Sequence, residues 1–180
     1  VGNTSSNGAG LDDLLISKFD AYLNHQWTRL IGGTSTDLAY SVVGTADSGI
    51  VVTGCTYQPD GTHLLLSKFD KNGNPQWRTT LFESNAIYVG YSVTQTFDGG
   101  FMITGGHSVA AGADLFLSKF SASGINQWTK TIDIEATETG GSIIETSDSA
   151  FMIIGNTYNP NSGLWDLIIA KCDSLGNQSW

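Results

Sequence analysis

Charge is what this chain has least of. Only 14% of its 180 residues are Asp, Glu, Lys or Arg, and 17 acids against 8 bases give a formal net charge of −9. So few cations argue against a polyanion partner, because nucleic-acid affinity rests on Lys and Arg neutralising phosphates. The same deficit argues against an anionic membrane surface. No apolar run reaches the roughly 18 residues of a membrane-spanning helix, so no span is expected. Two cysteines, Cys55 and Cys172, are too few for a disulfide framework and lack metal-ligand spacing. Proline occurs only 3 times. Val1 is not Met, and no basic-then-apolar signal segment follows it, as expected of a processed chain or a fragment. What is abundant is Gly, with 22 copies, and Ser and Thr, together 38, within a chain that is 40% hydrophobic. That composition supplies a core and reads as all-β, since helical proteins lean on Glu, Lys, Ala and Leu.

A repeat runs through the whole chain. Trp27, Trp77, Trp128 and Trp180 are 50, 51 and 52 residues apart, and Lys18, Lys68, Lys119 and Lys171 keep the same steps. Gly2, Gly54, Gly105 and Gly155 step by 52, 51 and 50. Asp47, Asp98 and Asp148 follow with 51 and 50. Four residue types on one period of about 51 residues define units at roughly 12–62, 63–113 and 114–164, with a partial one at 165–180.

Each unit holds four short β-type runs. Residues 64–70, echoed at 14–20, 115–121 and 167–173, form the first. A Gly/Asn turn follows, clearest at Lys71-Asn72-Gly73-Asn74, and then the run that carries Gln76-Trp77. The third run is Tyr40-Ser41-Val42-Val43 and its copies, and the fourth, after an Asp47-Ser48-Gly49 turn, ends on Gly54. Apolar residues are nearly continuous in Leu64-Leu65-Leu66 and Phe151-Met152-Ile153-Ile154, the pattern of sheets buried on both faces. Four antiparallel strands in about 50 residues is the size of a β-propeller blade. The chain holds roughly three and a half such units.

Residues 27–54 carry Gly32-Gly33-Thr34, Asp37, Ser41 and Asp47-Ser48-Gly49, and residues 68–77 read Lys-Phe-Asp-Lys-Asn-Gly-Asn-Pro-Gln-Trp. With Asp98-Gly99-Gly100-Phe101-Met102-Ile103-Thr104-Gly105, these resemble the repeats of secreted bacterial and archaeal β-propeller proteins over essentially the whole chain. The resemblance implies a propeller fold and an extracellular or cell-surface setting. It implies little about chemistry, because such repeats serve surface, adhesive and structural roles. The copies depart from the pattern at 85–89 and 133–139.

The Trp series is most simply a set of inter-unit packing residues, with carbohydrate stacking as the other reading. The four lysines are expected to pair with nearby acids; Asp20, Asp70 and Asp173 lie two residues downstream, and Ser121 replaces the acid in the third copy. Asp70 to Asn74 alternates oxygen donors as calcium loops do, but the other copies lack them, so a turn is expected and no metal or cofactor. His25, His63 and His107 fall in three registers and outside any nucleophile motif, so no catalytic set is assigned. Trp165, with Tyr57 and Tyr158 beside loops 58–63, 108–114 and 159–165, is the candidate ligand contact. Asn3 and Asn177 begin glycosylation sequons.

Uncovered blades would expose apolar faces and open edges. The expectation is therefore a non-enzymatic extracellular structural or adhesive protein that associates with further copies or further blades, as a closed dimer or an open filament. A sugar- or peptide-binding module is the alternative, and a fragment of a propeller enzyme the third reading.

Overall fold

The structure is a computed structural model that describes residues 1–5, 10–109, 112–132 and 137–180. Residues 110–111 of the 108–114 loop and residues 133–136 of the divergent 133–139 connection lie outside the described residues. The fold is all-β, with 14 strands in three sheets and no helix among the described residues.

β1 (Gly2–Thr4), β2 (Asp13–Phe19) and β3 (His25–Ile31) form the first sheet. The next four strands, β4 (Asp37–Gly44), β5 (Ile50–Gln58), β6 (Gly61–Phe69) and β7 (Pro75–Leu81), make an antiparallel meander in that order. β8 (Ile87–Gln95), β9 (Phe101–Val109), β10 (Gly112–Phe120) and β11 (Asn126–Ile132) repeat it. A single parallel pair, Thr62 with Ile87, joins these two meanders into one eight-stranded sheet. β12 (Glu138–Glu145), β13 (Phe151–Asn159) and β14 (Leu164–Cys172) form the third sheet, and beyond them Gln178 makes one bridge to Cys172. The hydrogen-bonded meanders thus run 37–81 and 87–132, in a different phase from units counted at 12 and 63.

Each first strand of a meander carries the same defect. The register slips at Tyr40 in β4, at Tyr91 in β8 and at Gly141 in β12. A bulge of this kind leaves one residue unpaired and bends the strand into its partner. The periodic Gly54, Gly105 and Gly155 lie opposite. A Cβ on them would stand 1.8, 1.9 and 2.3 Å from the carbonyl oxygens of Leu38, Val89 and Thr139. Only glycine admits that approach, which explains why this glycine keeps the period.

The core lies in three layers, between the first sheet and the first meander, between the two meanders, and between the second meander and the third sheet. Leu14, Ile16 and Trp27 pack on Val52, Leu65 and Phe69. Val51, Leu64 and Leu66 pack on Tyr88, Phe101, Ile103 and Phe116. Met102, Leu115 and Leu117 pack on Ile143, Phe151 and Ile153. Alternate residues of one strand therefore face two different neighbours, and continuous apolar runs such as Leu64-Leu65-Leu66 are buried on both sides.

Candidate functional site

The periodic side chains gather at the end of the sheets where the short hairpins lie. Lys68 meets Asp47 at 2.6 Å, Lys119 meets Asp98 at 2.7 Å and Lys171 meets Asp148 at 2.8 Å. Each of these lysines reaches back across its own sheet to the first hairpin of the meander. The pairing expected with Asp70 and Asp173 is not the one formed. Those acids, with Asp20, cap their own turns instead: Asp70 Oδ1 accepts the Asn72 and Asn74 N–H groups at 2.8 Å, and Oδ2 accepts Asn74 Nδ2. Asp20 and Asp173 do the same in their copies. Hydrogen bonds from the Asn74 backbone and side chain hold the Asp70 carboxyl below its usual range, and Asn24 and Asn177 act likewise on Asp20 and Asp173.

The hairpin acids titrate low as well. Lys68 and then Thr45 hold Asp47 well below the usual carboxylate range, and Lys171 and Thr146 do so for Asp148. At Asp98 burial pushes the other way, but bonds from Lys119, Thr96 and the Gly100 N–H outweigh it and bring the carboxyl to about 2.

The tryptophans lock one unit to the next. A methyl on Gly73, Gly124 or Gly176 would stand 3.1, 2.8 or 2.6 Å from the indole of Trp27, Trp77 or Trp128 in the preceding unit. All three glycines are left-handed turn residues, at φ 78°, 77° and 75°. Cations finish the contact: Arg29 donates to the carbonyls of Gly73 and Asn72 at 3.0 and 3.1 Å, and Lys130 donates to Asn177 Oδ1 at 2.7 Å. In the first sheet Leu23 holds this turn position at φ 65° and is exposed. Trp180, in the same series, is exposed as well.

The opposite end of the sheets carries a largely buried polar row whose first-strand residue changes from unit to unit. Its members are paired across the strands as Asp37–Thr56–His63, Tyr88–His107–Asp114 and Glu138–Thr157–Asp166, with Thr4–Asp13 in the first sheet. Asp37, nearly fully buried, takes Arg78 at 2.7 Å and the Gly33 N–H at 3.0 Å. His63 lies 3.0 Å from Asp60 and stacks on Phe82. His107 is buried against Tyr88, its Nε2 3.8 Å from Glu83, and neither ring nitrogen has a hydrogen-bond partner. Sequence reasoning missed this row although two of its positions recur, Thr4, Thr56 and Thr157 on one and Asp13, Asp114 and Asp166 on the other; only Asp37, Tyr88 and Glu138 differ in each copy.

Cys55 and Cys172 are both free and buried. Burial pushes the Cys55 thiol up to about 11 and the neighbouring Tyr40 hydroxyl to about 12. Tyr40 and Tyr91, both bulged outward, meet edge to face with centroids 5.2 Å apart.

Trp165 is 55% exposed and leans against Tyr158 at 5.5 Å on the third sheet. Tyr57 occupies the equivalent place to Tyr158 two units earlier, on β5, so these three candidates do not form one platform. The two sequon asparagines differ: among the described residues Asn3 is exposed and bonded only through its oxygen, whereas both ends of the Asn177 amide are engaged. Asn3 Oδ1 accepts the Ala39 N–H at 2.8 Å, and Asn177 Nδ2 donates to Asp173 while its Oδ1 holds Lys130.

Sheets and hairpins define an all-β repeat protein. No protein-family model and no curated protein matches the chain. Among solved structures it is similar to a protein of unknown function from Bacteroides caccae, with 8% identity and a TM-score of 0.49 over 89% of this chain and 71% of that one.

Proposed function

We propose that this chain is a run of β-propeller blades in a non-enzymatic, extracellular structural protein, and that it works by packing against a further repeat unit. One observation carries the proposal. At the registers where each unit covers the next, Leu64 and Leu115 are fully buried, whereas Leu167 is 67% exposed. Thr53 and Thr104 are likewise buried, whereas Ile154 at the same register is 48% exposed. Ile144 and Ile169 extend that open face across β12 and β14. An apolar patch continuing an interface already used three times is a docking surface for another unit of the same kind. The resemblance of the repeats to those of secreted β-propeller proteins supports the extracellular setting.

Sedimentation velocity across a concentration series tests this. Mass rising above the 19.2 kDa monomer is expected, and Ile169→Lys should suppress the rise while leaving the melting temperature in place. A chain that stays monomeric at every concentration, and equally so as Ile169→Lys, overturns the proposal.

A further inference from the structure

A cavity of about 290 Å³ opens between the first sheet and the first meander, along β3, the edge of its sheet away from β1. Arg29 and Ile31 of β3 line one side, and Ser67 and Phe69 of β6 with Pro75 and Arg78 of β7 line the other. Arg29 and Arg78 are the two arginines of the whole sequence, and among the described residues no acid lines the cavity with them. Arg29 donates to the carbonyls of Thr28, Asn72 and Gly73 and forms no ion pair among the described residues. Arg78 gives Nη2 to the buried Asp37 at 2.7 Å, and its Nε and Nη1 have no partner among the described residues.

The first meander departs here from the other copies. In the first sheet Ser17 bonds Thr28 across the strands at 2.8 Å, and His25 Nε2 meets the same threonine hydroxyl at 2.7 Å. Between β10 and β11, Ser118 bonds Thr129 at 2.7 Å and accepts Asn126 Nδ2 at 2.8 Å. In the first meander Arg78 stands in the place of that threonine, and Pro75 in the place of His25 and Asn126. Proline brings no donor, and Arg78 turns to Asp37. Ser67 is left 1% exposed on the cavity wall, its Oγ without a hydrogen-bond partner among the described residues. A buried hydroxyl in that state costs free energy that a polar ligand atom would recover.

We infer that this cavity is a binding site for a small organic carboxylate. The charged end sits on Arg78 and the Ser67 hydroxyl, and the apolar body lies against Ile31, Phe69 and Pro75. A guanidinium fork matches a carboxylate, and the hydrogen bonds it makes are charge-assisted. Two cations with no acid beside them on the cavity wall draw an anion locally, although the chain as a whole carries −9. The volume is that of a pocket for a small ligand. The site is remote in sequence from the open face of β12–β14, and its occupancy can be measured whether or not the protein self-associates.

The test is an NMR titration of the isotope-labelled protein with phenylacetate. The Arg78 Nε–H signal and the Ser67 and Arg78 backbone signals should shift saturably, with a Kd of about 1 mM or below. Phenylacetamide, the uncharged isostere, should bind at least about tenfold more weakly. Ser67→Ala removes a hydroxyl that holds no other group, so it should weaken phenylacetate about tenfold and leave the melting temperature in place. Pro75→Asn, which supplies the donor that Asn126 gives to Ser118, should weaken phenylacetate in the same direction. No saturable shift at about 10 mM phenylacetate overturns the inference. So does equal affinity for phenylacetamide, or undiminished affinity in Ser67→Ala and Pro75→Asn. The comparison of the two ligands is made on the unmodified protein and does not depend on any variant folding.

Discussion

At the hairpin end of the sheets the same side chains return in every unit; at the far end the same backbone row carries Asp37, Tyr88 and Glu138 in turn. The hairpin end is under a fixed geometric constraint, in which a Lys holds an Asp across one sheet and a Trp seats on a turn glycine of the next. A turn at φ near 75° under an indole admits only one residue type, so identity repeats with the backbone. The far end has no such contact to conserve. It buries polar groups with differing partners, Arg78 for Asp37 and Thr157 for Glu138, and His107 with no hydrogen bond among the described residues. Shared backbone register therefore keeps one chemistry in every copy where one unit grips another, while at the far end Thr4, Thr56 and Thr157 recur beside a first strand whose residue changes each time.

Breaking the grip should cost most. Trp77 lies over Gly124 and meets Phe101 edge to face at 5.8 Å within the layer between the two central meanders. Trp77→Ala should lower the unfolding free energy by about 3 kcal/mol, the low end for a core aromatic because the ring is half-buried. Urea denaturation measures the loss. A change below about 1 kcal/mol would show that the interlock is incidental and that the two ends do not differ in grip.

The period, the hairpins and the two-sided burial could be read from the sequence because each follows from local rules. Gly73 marks a left-handed turn, and Leu64-Leu65-Leu66 marks a strand covered on both faces. The partners of the lysines could not be read that way. Asp70 is two residues from Lys68 and looks the natural mate, but it is drawn into its own turn by Asn74. Asp47 is 21 residues away, brought to Lys68 only by the register of the β4–β5 and β5–β6 pairs. The bulges at Tyr40 and Tyr91 were hidden for the same reason, since one extra residue in a strand leaves no mark in composition.

A smaller effect is expected within one sheet. Lys119 Nζ donates to both Asp98 and Thr96, so Lys119→Ala should cost about 1–3 kcal/mol by removing that shared charged donor. The pH dependence has a definite sign. Asp98 is held near 2 in the folded chain, against about 3.9 when unfolded, so its contribution is complete above roughly pH 4 and lost as pH falls through the folded value. Asp47 and Asp148 are lowered in the same direction and add to the slope. Acid titration of stability should therefore fall steeply between about pH 4 and 2, and Asp98→Asn should flatten part of that fall. An unchanged acid limb in Asp98→Asn would show that this carboxylate contributes nothing to the slope.

The far end should answer in the opposite direction. His107 is buried with two ring nitrogens that no protein group satisfies, and its nearest acid, Glu83, is beyond hydrogen-bond reach at 3.8 Å. Burying a polar group without a partner costs free energy that an apolar side chain of similar size does not. His107→Leu should consequently leave stability within about 1 kcal/mol of the parent, or raise it, since Leu can pack against Tyr88 where the imidazole now lies. Thermal unfolding of the two proteins side by side decides the point. A loss above about 2 kcal/mol would mean that the imidazole has a partner in solution, and the polar row would then be gripped as firmly as the hairpin end. A neutral or stabilising result keeps the division: identity is held where units lock together, and is free to vary at positions such as His107 that no hydrogen bond holds.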